Sequence, residues 1–276
     1  MEKLQKSFII SFFIILTLAC ALLALLGIYS FWNIREQRIS TPQATDEALE
    51  VFANDTILGK TEDLGQNYID KIIFLGESTT YGLQRYGVLS GGTSTNQVWT
   101  GATFSNGVPV SAGTLSISPS IASTKIFYPD SGEALTIRQA VLRKSPEMLI
   151  ITLGLNNGAS YYSKEEFKAC YRLLLDSISD SFGSTKVILQ SLFPVAQSCT
   201  IKAYTPQRIE ECNGWILEIA EEYGLKYLDT AECLADENGY LISKYENGGD
   251  GIHLNALGLN KVLEYIRTHG IEGALK

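Results

Sequence analysis

Three polar residues, one of them far from the other two in the chain, carry the strongest chemical signal. Ser78 follows an apolar run in KIIFLGESTTYG, His253 lies in the glycine-rich NGGDGIHLNALG, and Asp250 stands three residues before that histidine. A serine hydroxyl is a weak nucleophile near neutral pH until a neighbouring imidazole takes its proton. The Asp-x-x-His spacing lets the carboxylate bond one ring nitrogen while the other faces the serine, which fixes the tautomer and steadies the imidazolium. Only two histidines exist. His269 falls in the last turn of the terminal helical pattern (EYIRTHG), where imidazoles interact with the helix dipole, so His253 is the candidate base. Acyl transfer also needs fixed donors for a tetrahedral oxyanion. Asn156, in ITLGLNNG after another apolar run, is the candidate side-chain donor, and the amides entering the helix after Ser78 could add to it.

Taken singly, each residue has a plainer reading. Ser78 reads as a helix N-cap, Asp250 and His253 as a turn aspartate and a surface histidine, and Asn156 as a loop asparagine in left-handed backbone. Their joint meaning depends on the elements that carry them. Strand-length apolar runs at Lys71–Leu75, Met148–Leu153, Lys186–Ser191 and Lys226–Leu228 alternate with amphipathic segments at Leu135–Lys144, Lys164–Phe182, Arg208–Tyr223 and Ala256–His269. That alternation predicts β-α-β units and a parallel sheet, with ligands bound at the carboxyl edge of its strands, where both Ser78 and Asn156 fall. The Gly/Ser/Thr-rich stretch from Ser90 to Pro129 reads as irregular structure or a β-hairpin excursion before a further strand at Lys125–Tyr128.

Three blocks, Gly76-Glu77-Ser78, Gly154-Leu155-Asn156-Asn157 and Asp250-Gly251-Ile252-His253, occur in this order, and together they resemble the SGNH/GDSL hydrolase superfamily. The texture of FLGESTTYG, ITLGLNNG and DGIHLNALG is similar to that of its membrane-anchored bacterial members, over a region from about Lys71 to the C-terminus. The resemblance implies a three-layer α/β/α sandwich around a mainly parallel five-stranded sheet of the flavodoxin-like kind. It implies Ser78 as nucleophile and, through its amide, oxyanion donor, with Asn156 as second donor, His253 as base and Asp250 as its orienter. Glu77 and Asn157 depart from the aspartates usual in the first and third blocks. The glycine of the second block is Gly101 in VWTGATF, with Gly107 and Gly113 as alternatives.

The implied reaction is two-step acyl transfer to water, an esterase acting on an acyl (O-acetyl) ester of cell-wall or extracellular carbohydrate. An O-acyltransferase with the same triad, or a catalytically silent surface binding module, are the alternatives. Trp99, Tyr81, Tyr86 and Tyr128 are candidates for a sugar-stacking rim, against the commoner use of aromatics in a core. Two histidines without ligand spacing to the cysteines imply no metal, and no other cofactor is implied. The net charge is −8 although Lys3 and Lys6 outweigh Glu2 at the N-terminus, so the acidity lies beyond it and argues against a nucleic-acid partner.

Residues Ser7–Trp32 contain no charge and are long enough for a membrane-spanning helix that exits through Tyr29, Phe31 and Trp32. A cleaved signal peptide would be shorter, and a lipoprotein reading through Cys20 is a minor alternative. The expected organisation is a short cytoplasmic N-terminus (1–6), a single-pass transmembrane signal anchor (7–32), a stalk (33–67) and an extracytoplasmic hydrolase domain (68–276). Outside the cell Cys170, Cys199, Cys212 and Cys233 could form disulfides. Cys199 and Cys212 are the expected pair, and Cys170 sits at helical spacing among apolar residues, as a core thiol would.

Overall fold

The computed structural model describes residues 56–271 and 273, which belong to one compact unit, Val51–Lys276. The expected anchor at 7–32 and most of the stalk lie outside the described residues. Among the described residues no helix is long and apolar enough to cross a membrane.

In chain order the elements are α1 (Gln66–Ile69), β1 (Ile72–Gly76), α2 (Ser78–Arg85), β2 (Val98–Trp99), β3 (Gly101–Ser105), β4 (Val108–Gly113), β5 (Lys125–Tyr128) and β6 (Glu133–Thr136). There follow α3 (Ile137–Lys144), β7 (Met148–Thr152), α4 (Lys164–Ile178), β8 (Lys186–Gln190), α5 (Pro206–Tyr223), β9 (Lys226–Leu228) and α6 (Ala256–Thr268). Helix starts follow local chemistry. Thr136 with Gln139 and Ser163 with Glu166 form capping boxes for α3 and α4, Thr205 caps α5 ahead of Pro206, and Asn255 caps α6 by accepting the Gly258 N–H.

Five strands form one parallel sheet in the order β2-β1-β7-β8-β9. Both its faces are covered, which is why its strands are continuous apolar runs rather than alternating ones. Ile73, Leu75, Leu149, Ile151 and Leu189 point into one core, which α3, α4 and α5 close. Ile72, Phe74, Met148, Ile150 and Ile188 point into the other, closed by α1, α2 and α6. The result is the expected three-layer sandwich. The chain reverses direction across the sheet between β1 and β7, and open α/β folds bind ligands at the carboxyl end of such a switch point.

Three expectations need correction. The fifth parallel strand is the two-residue β2. The apolar run Lys125–Tyr128 instead joins a separate antiparallel sheet, β4-β3-β5-β6, of which β3, β4 and β5 lie within the stretch read as a hairpin excursion and β6 just beyond it. Cys199 and Cys212 do not pair, and all four cysteines among the described residues are free. The reason is position: Cys212 sits on the buried face of α5, whereas Cys199 packs beside Gly251. Residues 57–67, read as the end of the stalk, contact the head, since Ile57 bridges Tyr227 and the Leu64 N–H donates to the Arg267 carbonyl. Cys170 is buried in the core as expected.

Candidate active site

The carboxyl ends of β1 and β7 lie side by side, and each delivers one loop to the same edge. From β1 the chain turns through Gly76 and Glu77 into α2. A side chain at Gly76 would place its Cβ 2.7 Å from the Thr152 carbonyl on β7, so the close approach of the two strands there requires glycine. Glu77 is the N-cap residue of α2 and Ser78 its first helical residue, with no side-chain capping bond. The N-cap reading of Ser78 is therefore wrong. Its hydroxyl meets the His253 ring instead, with Oγ 2.9 Å from Nε2.

His253 Nδ1 is 2.6 Å from Asp250 Oδ2, while Asp250 Oδ1 accepts the N–H groups of Ile252 at 2.8 Å and His253 at 2.9 Å. Asp250 thus builds the turn and orients the ring at once. Burial alone would raise its carboxyl, but the His253 N–H, the ring and the Ile252 N–H outweigh burial and hold it below the usual aspartate range. An ionised carboxylate only accepts, so Nδ1 carries the proton and Nε2 is left to accept from Ser78.

The loop itself is clamped from behind. The Gly251 carbonyl accepts the Ala196 N–H, its N–H donates to Glu246 Oε1, and Ser198 Oγ donates to the same oxygen. At φ +74°, Gly251 leaves no room for a side chain, because a Cβ there would lie 2.5 Å from the Cys199 nitrogen. His269 stays apart. It stacks on Tyr265 and bonds the Tyr265 carbonyl at the end of α6, as its sequence position suggested.

From β7 comes the second loop. Asn156 has ordinary extended backbone, and the left-handed residue is its neighbour Asn157 (φ 66°). The Asn156 side chain donates to the Leu115 carbonyl at 3.3 Å, and that of Asn157 to the Ile117 carbonyl at 3.4 Å. Glu77 reaches across to this loop, accepting the backbone N–H of Leu155 at 2.9 Å and of Asn156 at 2.7 Å. Its extra methylene relative to aspartate spans to both amides. Burial raises the Glu77 carboxyl to about 7, against the pull of these two N–H groups.

Gly101 begins β3 and pairs with Gly113 and Ile126. A side chain there would collide with the Thr114 carbonyl at 2.2 Å, which accounts for the glycine by packing. Gly107, with Asn106, forms the tip of the β3–β4 turn (φ 77° and 50°), and Gly113 lies within β4.

Ser78 and His253 open into a cavity of about 270 Å³ whose wall includes Tyr81, Arg85, Tyr86 and Asn247, but neither Asn156 nor Gly101. A larger hollow of about 530 Å³, lined by Glu210, Asp229, Glu232 and Asp236, contains none of the relay residues. The Ser78–His253–Asp250 relay thus opens onto the smaller one. Of the aromatic candidates, Tyr81 and Tyr86 are exposed on this wall, while Trp99 and Tyr128 are buried and pack on each other in the core. Arg85 and Asn247 carry no sequence signal of their own, and only the helical repeat after Ser78 could have pointed to Arg85.

The family model for the GDSL-like lipase/acylhydrolase family matches residues 74–260, about two thirds of the chain and all three blocks. The chain belongs to this family. Several solved structures are similar to the acylhydrolase. They include a provisionally named platelet activating factor from Streptococcus pneumonia, at 17% identity, covering 81% of this chain and 98% of that one with a TM-score of 0.50. A GDSL-like lipase from Bacteroides thetaiotaomicron is 18% identical and covers 78% and 92% with a TM-score of 0.47. An acetyl xylan esterase is 17% identical and covers 71% and 96% with a TM-score of 0.42. No curated protein matches the acylhydrolase sequence.

Proposed function

We propose that this acylhydrolase is a serine esterase working through an acyl-enzyme. Ser78 attacks the ester carbonyl while His253 Nε2 accepts its proton and returns it to the departing alcohol. A water activated by the same nitrogen then releases the acid. Asp250 keeps the proton on Nδ1 and stabilises the imidazolium. The oxyanion donors would be the Ser78 N–H, which has no acceptor within its own helix, the Asn156 side chain, and Gly101, which the family resemblance adds as a third donor.

The observation that carries this reading is the unbroken Asp250–His253–Ser78 relay at 2.6 and 2.9 Å. Glu77 supports an active site over a silent module, since its carboxylate still ties the first block to the third. The charge-free run at 7–32 supports a single-pass anchor with the head outside the cytoplasm, and O-acyl carbohydrate at the cell surface as substrate. Incubating the purified full chain with p-nitrophenyl acetate tests the chemistry. Ser78→Ala is expected to lose at least about 10³-fold in kcat, and equal turnover by both proteins would refute the proposal.

A further inference from the structure

We infer that the ester substrate carries an oxyanion group, a carboxylate or phosphate, which Arg85 grips near the far end of the cavity from the reacting carbonyl. This rests on the reading of Ser78 as the nucleophile.

Ser78, Tyr81, Gly82, Arg85 and Tyr86 all line the same cavity. They stand at i, i+3, i+4, i+7 and i+8 of α2 and its C-cap, so they form one stripe of that helix. Seven residues advance about 10 Å along the axis, a distance one sugar ring and its substituents can bridge. Tyr81 and Tyr86, both 38% exposed, flank the path with aromatic faces on which a ring can stack.

Arg85 differs from every other described arginine. Arg138, Arg143, Arg172, Arg208 and Arg267 each hold a carboxylate. Among the described residues Arg85 has no such partner, although the chain carries 30 acidic residues against 22 basic ones. A guanidinium left open in so acidic a protein is set for a group from outside. Its place in the last turn of α2 also suits the helix dipole, but that role does not require it to face the nucleophile's cavity. The acid on the cavity wall, Asp250, is engaged by His253 and by two backbone N–H groups, so it does not claim Arg85. A guanidinium binds carboxylate or phosphate through two parallel hydrogen bonds, which fixes orientation as well as charge.

The test compares kcat/KM for 4-acetoxybenzoate and 4-acetoxyphenyl phosphate with that for the neutral 4-acetoxybenzamide, in the full chain and in Arg85→Gln. The unaltered protein is expected to favour at least one anionic ester, and the two anionic arms tell carboxylate from phosphate. Arg85→Gln is expected to reduce that selectivity about fivefold, the scale of an exposed ion pair. Arg85→Glu is expected to shift preference toward the cationic (4-acetoxyphenyl)trimethylammonium. Binding of the uncleaved anionic ester to Ser78→Ala, and its loss in Ser78→Ala with Arg85→Gln, separates recognition from chemistry. Binding lost on removing Arg85 without turnover in the unaltered protein would uphold the recognition site and sink the esterase. Selectivity and binding unaffected by Arg85→Gln would overturn the inference.

Discussion

Glu77 Oε2 accepts the backbone N–H of Asn156 at 2.7 Å, which joins the residue beside Ser78, the proposed nucleophile, to the residue proposed to steady the oxyanion. The two loops emerge from neighbouring strands, and this fully buried carboxyl, with Oε1 on the Leu155 N–H, fixes the distance between them. Its burial has a cost that depends on pH.

The Glu77 carboxyl is raised to about 7 in the folded chain from an ordinary 4.5. Folding therefore favours its protonated form, and the associated stability is full below about pH 4.5 and is lost as pH rises through about 7. The linked change is on the order of 3 kcal/mol. Urea unfolding at pH 5 and pH 8 is expected to show this fall, and Glu77→Gln is expected to flatten it. The same slope in both proteins would contradict the assignment.

Asp250→Asn keeps an oxygen for the Ile252 and His253 amides but offers an N–H donor to the ring. The proton then moves to Nε2, which can no longer accept from Ser78. Esterase kcat is expected to fall by about 10³- to 10⁴-fold with little change in melting temperature. An activity within about tenfold of the unaltered protein would show that Asp250 does not set the tautomer.

Gly251→Ala forces a Cβ against the Cys199 backbone at a positive φ. The loop must shift, and it carries both Asp250 and His253. The expected cost is about 1–3 kcal/mol in stability together with a kcat loss near 10²-fold, because misplacement of about 1 Å at the base suffices for that. Calorimetry and steady-state kinetics on the same sample separate the two effects.

The blocks that hold Ser78, Asn156 and His253 were legible in the sequence because each follows or precedes an element with an unambiguous pattern. Ile72–Gly76 and Met148–Thr152 are buried on both faces, so they read as central parallel strands. What remained hidden depends on pairing. Val98–Trp99 is two residues long, and no periodicity distinguishes it from a loop. Lys125–Tyr128 reads clearly as a strand, but nothing in its residues says which sheet it joins. The β3–β4 hairpin shifts register between Thr103 and Phe104, which breaks the alternation that would have announced it. The Cys199–Cys212 pairing failed because separation along the chain says nothing of which helix face a thiol occupies. The Glu77 bond to Asn156 and the clamp of Glu246 on Gly251 connect residues through space, beyond the reach of local pattern.

The most direct test of the Ser78–His253–Asp250 relay is covalent labelling. Diisopropyl fluorophosphate reacts with a serine only where a base activates it, and mass spectrometry locates the adduct. The expected result is one phosphoryl group per chain, on the peptide bearing Ser78, with parallel loss of esterase activity and no labelling of His253→Ala. Esterase activity that survives the reagent, or an adduct on another residue, would contradict the assignment of Ser78 as nucleophile.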